Sequence, residues 1–213
     1  MEHAATPQND RESHWDEAYR TRGAEGVSWF QTTPKVSLEL FECLDVDPTT
    51  AVVDVGGGAS LLVDNLIEHG YSDVTVLDLS DVALAEARRR LKPTRSITWL
   101  HEDILSWQPS KHFGVWHDRA VFHFLTRSAD QSRYLATMLL AAPANGTVVM
   151  ATFADDGPGF CSGLPVTRFS AQELVAALGE GFTLVEARRE LHTTPSGVVQ
   201  PFTWVAGRFH GDT

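Results

Sequence analysis

The feature that most constrains this chain is the alternation of short, continuous apolar runs with amphipathic segments between residues 50 and 153. AVVDV (51–55), VTVLDL (74–79), SITWLHED (96–103), HFGVWHD (112–118) and GTVVMATF (146–153) read as strands. An unbroken apolar run marks a strand covered on both faces, the habit of parallel sheets. Helices are expected over 59–69, 81–91 and 128–142. Ser80 is a suitable N-cap for the second. Ser128 and Gln131 make an S-x-x-Q capping box for the third. Ser170 and Glu173 make another, flanked by Phe169 and Leu174 as a hydrophobic staple, for a helix to Leu178. Strands near 182–189 and 199–208 are joined by TTPSG (193–197), too short for a helical crossover, so they should pair as an antiparallel hairpin. The pattern predicts the α/β class, with right-handed crossovers.

Upstream, the stretch to about Asp10 reads as disordered. Residues 11–22 suit a short helix with Trp15 and Tyr19 on one face at i, i+4. A glycine-punctuated loop, GAEGVSWFQTTP (23–34), follows. Pro34 suits the first turn of a helix that aligns Val36, Leu40 and Leu44, closed by Asp47-Pro48. Residues 154–169 show no periodicity, and loops of that length inside a compact domain are commonly lids. The expected organisation is an extension over 1–33 and one domain over 34–213.

Charge and cysteine usage narrow the class. A net charge of −11 argues against nucleic acid and anionic membrane surfaces as partners. Cys43 and Cys161 show no CxxC pairing, which suits a reducing compartment. The first fifteen residues lack a basic region followed by an apolar one, and no run reaches the roughly 18 apolar residues of a membrane span. A cytoplasmic location is expected. His112, His117 and His123 match no zinc template, so no metal is expected.

VVDVGGGAS (52–60) is the sharpest local signal: a buried strand ends in Asp54 and three glycines lead into a helix. In doubly wound sheets ligands bind beyond the carboxyl ends of the strands. Glycines let backbone approach a ligand closely. A dinucleotide site wants G-x-G-x-x-G, but Gly56 and Gly58 are followed by Leu61. Asp54 would oppose a pyrophosphate and favour an ammonium group. A nicotinamide-dependent oxidoreductase is therefore the weaker alternative. Asp78 closes the second strand, where a carboxylate can accept two ribose hydroxyls or cap the next helix. Asp103 with Ile104 follows the third strand as an adenine clamp or a solvated loop acid.

These motifs, taken in order over about residues 50–208, resemble the class I S-adenosylmethionine-dependent methyltransferases. VVDVGGGAS is similar to that family's first motif, VTVLDLS to its second-strand acid and HEDIL to its adenine-side acid. VWHDRAVFHFL is similar to the segment after its fourth strand. Ser60 stands where the family usually has the last glycine of the first motif. The resemblance implies a Rossmann-like, doubly wound, seven-stranded sheet in the order 3-2-1-4-5-7-6, strand 7 antiparallel, with helices on both faces. It implies S-adenosylmethionine as cofactor. Gly56, Gly57 and Gly58 would pass its methionine part and Asp54 would hold its ammonium. Asp78, with Leu79 after it, would bind the ribose, and Asp103 and Ile104 would flank adenine. Asp118 joins this cofactor set.

The segment HDRAVFHF (117–124) is the expected acceptor-facing region. His117 or His123 would serve as general base, or each is a hydrogen-bonded structural histidine. Arg119 would anchor substrate, or pair with Asp118. VSWFQ (27–31) resembles the N-terminal aromatic segment of thiol- and thiopurine-type methyltransferases, which implies that Trp29 covers the sulfonium by cation–π contact. Its alternative is ordinary packing. Cys161 and Arg168 are either acceptor contacts or idle. The expected reaction is methyl transfer to a small molecule. A protein side-chain methyltransferase and a non-catalytic cofactor-binding module remain as alternatives.

Overall fold

A computed structural model describes residues 8–91, 93, 96–142 and 144–210. The expected disorder of the first residues lies outside the described residues for 1–7. It does not hold for 8–10, which open α1 (Gln8–Gly26). That helix runs past the expected 11–22 and is interrupted at Gly23, whose φ of 67° is non-helical.

The expected strands form as β1 (Val52–Val55), β2 (Val74–Asp78), β3 (Ile97–His101), β4 (Val115–Arg119) and β5 (Thr147–Phe153). Between and before them lie α2 (Lys35–Cys43), α3 (Leu62–Glu68), α4 (Asp81–Arg90) and α5 (Ser128–Ala141). The 154–169 stretch carries a two-rung hairpin, β6 (Phe160–Cys161) with β7 (Leu164–Pro165), which aperiodic sequence gave no means of foreseeing. α6 (Ala171–Leu178), β8 (Phe182–Thr193) and β9 (Val199–Phe209) complete the chain.

The main sheet runs β3-β2-β1-β4-β5-β9-β8. Leaving the small hairpin out of the count, this is the expected order 3-2-1-4-5-7-6. The first five strands pair in parallel, and β9 is antiparallel to β5 and β8. Every residue of β1, β2 and β5 is buried, as their unbroken apolar runs require. The edge strand β8 alternates exposed and half-buried residues from Val185 to Leu191.

The pleat divides the core in two. One face packs Leu40 and Phe41 of α2, Leu62 and Leu66 of α3 and Leu84 of α4 on Val52, Val115, Val149 and Trp204. The other packs Tyr134 and Met138 of α5 and Leu174 and Leu178 of α6 on Val53, Trp116, Val148 and Val205. Helices therefore cover both faces. The buried face of α2 runs through Ser37, Leu40 and Phe41, rather than through the half-buried Val36.

Two of the three N-terminal helix signals hold. The Ser80 side chain accepts from Ala83 N at 3.1 Å, and Ser170 with Glu173 forms a reciprocal capping box. The Ser128–Gln131 box does not form. Arg127 is the N-cap, and Gln131 turns its amide to Leu125 O at 2.7 Å. Ser170→Ala is therefore expected to cost about 1 kcal/mol in urea unfolding, and Ser128→Ala well under half of that. Equal losses would show that both serines cap.

Candidate active site

The strand order reverses between β1 and β4, so their carboxyl ends splay and leave a crevice. Gly56, immediately after β1, has φ 67°, and a Cβ there would collide with Val121 of the β4 exit. A Cβ at Gly57 would collide with the Asp54 carboxylate. A Cβ at Gly58 would come to 2.8 Å from Asp78 Oδ2 and 3.0 Å from the Tyr19 hydroxyl. The three glycines thus keep backbone low between two carboxylates. Ala120 follows β4 with φ 76°, a conformation that strains a residue with a Cβ and turns the chain over the crevice.

Asp54 and His117 are register partners in β1 and β4. His117 Nδ1 meets Asp54 Oδ1 at 2.8 Å, and its Nε2 meets Ser37 Oγ at 2.9 Å. All three residues are buried, and Asp54 Oδ2 has no partner. Both His117 nitrogens are therefore engaged. Asp78 Oδ1 accepts from Ser80 N at 2.7 Å. Burial first, and then the Asp54 charge, push its pKa up to about 7, against the opposing Ser80 N–H. Asp103 accepts from Arg11 Nη2 at 2.6 Å and from Leu105 N at 3.1 Å.

Two connected spaces open here. The larger, about 470 Å³, reaches from Asp78, Leu79, Asp103 and Ile104 to Arg119, Phe153 and Phe202. The smaller, about 40 Å³, is lined by Asp54, Gly56, Gly57 and His117. Trp29, Tyr19 and Arg119 line both. The cover is tied down from several directions. Ser80 Oγ donates to Asp16 of α1 at 2.7 Å, and Arg119 Nη1 donates to Trp29 O at 3.0 Å. Gln31 Nε2 donates to Glu190 at 2.7 Å, and His192 Nε2 lies 2.7 Å from Ser28 O. Trp15 stands edge-on to both Trp29 and Phe124.

Two expected site residues lie elsewhere. The Asp118 carboxylate points to the opposite face of the sheet, where it accepts from Val121 N, Phe122 N and the Tyr134 hydroxyl. It lines neither space; burial pushes its pKa up to about 6. Neighbours along a strand face opposite ways, so Asp118 cannot share the His117 and Arg119 side. His123 is also corrected. It is fully buried behind Phe124 and Phe153, accepts from Phe153 N at 3.3 Å, and lines neither space. Burial, then the Arg119 charge, push its pKa down to about 3, so it is neutral at physiological pH. No Asp118–Arg119 pair forms. Cys161 lines the larger space, and burial raises its thiol to about 11. Arg168 bonds Gly157 O at 3.0 Å. Arg11 and His14 of α1 line the larger space and were not singled out in sequence. Their helical spacing with Trp15 was the available signal. Among the described residues, no cluster of three or more His, Cys, Asp or Glu is arranged to hold a metal ion.

A family model described as a methyltransferase domain matches residues 52–146. That span runs from β1 to the start of β5 and holds every strand-end acid described above. Over just under half of its length the chain is therefore similar to a methyltransferase domain. It is 24% identical over 198 residues to an EEF1A lysine methyltransferase 2 of Danio rerio, covering 84% of this chain and 77% of that one. It is 30% identical over 79 residues to an eEF1A lysine and N-terminal methyltransferase of Mus musculus, covering 36% of this chain. It spans only 11% of that mouse protein's length. In structure it is similar to the 1,6-didemethyltoxoflavin-N1-methyltransferase of Burkholderia thailandensis, solved with S-adenosylhomocysteine. The TM-score is 0.70 at 17% identity, covering 99% of this chain and 94% of that one. The match to a methyltransferase domain speaks against the nicotinamide alternative.

The residues of the crevice fit S-adenosylmethionine as a cofactor. The unpartnered, buried Asp54 Oδ2 beside Gly57 is an acceptor for an ammonium group. Asp78 opens onto the larger space next to Leu79.

The Asp78 environment has a measurable signature. Its folded pKa lies above that of an unfolded aspartate, so its contribution to stability is fully present below pH about 4 and is lost as pH rises toward 7. Asp78→Asn is expected to raise the thermal midpoint of the cofactor-free protein at pH 8, with the gain shrinking toward pH 4. The same variant should lose about tenfold or more in S-adenosylhomocysteine affinity by calorimetry. A thermal gain that grows as pH falls would contradict the burial argument.

Proposed function

We propose that this chain transfers a methyl group from S-adenosylmethionine to a small-molecule acceptor held in the covered cleft. The observation that carries the reading is the cover itself. α1, the Trp29 segment and the β6–β7 hairpin wall in a partly open cavity of about 470 Å³, a size ordinary for small-molecule sites. A side chain presented on a folded protein surface needs an open groove instead. The 1–33 extension serves as the lid, and the protein works in the cytoplasm. Among the described residues no helix is long and apolar enough to cross a membrane.

When bound, the cofactor supplies an electrophilic methyl group, so the protein's task is alignment and exclusion of water. Asp54 receives the ammonium, and the Gly56–Gly58 backbone passes the methionine part. Asp78 takes the ribose hydroxyls. Leu79 and Ile104 sandwich the adenine, while Asp103 holds its edge or keeps Arg11 in place. His117 is a positioning residue: it fixes the Asp54 carboxylate through one ring nitrogen and is itself held by Ser37 through the other. Trp29 and Trp15 roof the reacting region. No base is drawn from His123, whose depressed pKa and burial disqualify it.

A second reading, methylation of a protein side chain, is favoured by the names of the curated relatives, both of which are protein methyltransferases. One experiment separates the two. Purified protein is incubated with methyl-labelled S-adenosylmethionine and a cell extract split by ultrafiltration. Label entering the small-molecule fraction is the expected outcome. Label entering only the protein fraction would transfer the assignment to the second reading, and binding of S-adenosylhomocysteine without transfer to either would make the chain a cofactor-binding module.

A further inference from the structure

The charges around the large cavity are unevenly placed. Asp10, Asp78, Glu102 and Asp103, with Arg11 paired to Asp103, stand on the side of α1, β2 and β3. The opposite side is built from Phe153, Cys161, Leu164, Pro165, Gln200 and Phe202, and carries no charge. Between the halves, at the carboxyl end of β4, is Arg119. Its side chain is 10% exposed. The guanidinium lies 4.6 Å over the Phe202 ring, with one hydrogen bond, from Nη1 to Trp29 O. Nε and Nη2 are buried and make no hydrogen bond.

That arrangement is incomplete as it stands. Burial lowers the Arg119 pKa from its usual value, with Glu190 opposing the shift. The Glu190 carboxylate is 3.9 Å from Nε, beyond hydrogen-bond distance, and its two oxygens are already taken by Gln31 and Trp204. A buried cation with two donors unmet is costly, and a bidentate anion is the partner its planar fork suits. The surrounding aromatic and apolar wall accommodates a hydrocarbon body rather than a sugar or a peptide backbone.

We infer that the methyl acceptor is a small aromatic or apolar carboxylic acid, anchored through its carboxylate by Arg119. The inference rests on the methyltransferase reading above and gives that site its substrate class. Arg119 acts as a specificity residue: it recognises ionised acids and leaves their uncharged amides without a partner for its fork.

The test is calorimetric and needs no turnover. The wild-type chain is saturated with S-adenosylhomocysteine and titrated with benzoate, phenylacetate and 3-phenylpropionate, and with the three corresponding amides. Arg119→Gln and Arg119→Lys are titrated in the same way. At least one acid is expected to bind wild type about tenfold more tightly than its amide. That preference should vanish in Arg119→Gln and partly return in Arg119→Lys. Equal binding of acids and amides to wild type, or no binding of any acid, would overturn the inference and leave the methyltransferase reading standing. A large loss of S-adenosylhomocysteine affinity in Arg119→Gln, with acid binding unchanged, would also overturn it. The carboxylate that Arg119 receives would then be the cofactor's own. Failure of wild type to bind S-adenosylhomocysteine would remove the reading and the inference together.

Discussion

The structure depends on the parallel register of β1 against β4. That pairing sets Asp54 opposite His117 on one face of the sheet and leaves the crevice where the strand order turns back. A carboxylate this deep is tolerable only if it is hydrogen-bonded, and His117, braced by Ser37, supplies the bond. One oxygen is satisfied and the other left open, so the core of the protein and the mouth of the site share a residue. A one-residue slip would send Asp54 to the α5 side and bury it against Trp116 and Tyr134 with no imidazole in reach.

Around this pair, stability and function pull in opposite directions. Asp78 is buried beside a second acid, and burial, then the Asp54 charge, push its pKa up to about 7. Arg119 is a buried cation with two donors unmet, and Ala120 holds a backbone conformation unusual for a residue with a side chain. Several of these local violations lie at the carboxyl ends of β1, β2 and β4, and others fall at Arg11 and His14 of α1 and at Thr152 of β5. Strain at the crevice is expected where a rigid scaffold carries a binding site.

The cover answers a separate need. Methyl transfer calls for alignment more than for proton chemistry, so a site that excludes water can dispense with a histidine base. His117 and His123 illustrate the point: one is fully engaged in holding Asp54, and the other lies behind the aromatic wall. Trp15, Tyr19 and Trp29 form the roof instead, tied by Asp16 to α4 and by Trp29 O to Arg119.

Much of this was legible in the sequence. Unbroken apolar runs fixed the parallel strands, and the short TTPSG link fixed the antiparallel hairpin, because both are local consequences of burial and chain length. The glycine loop and the acids at 54, 78 and 103 were readable for the same reason: they sit at strand ends, which the local pattern marks. Asp118 was misplaced although strand alternation alone separates it from His117 and Arg119. The Arg11–Asp103 pair, the engagement of both His117 nitrogens and the two unmet donors of Arg119 depend on contacts between residues far apart in the chain. Sequence by itself determined the periodicities, and hence the α/β layering, while the strand order followed from the resemblance of the motifs to a known family. Only the tertiary structure decided which polar side chains found partners and which were left with open hydrogen-bonding capacity, because that is settled by long-range packing and by no local rule.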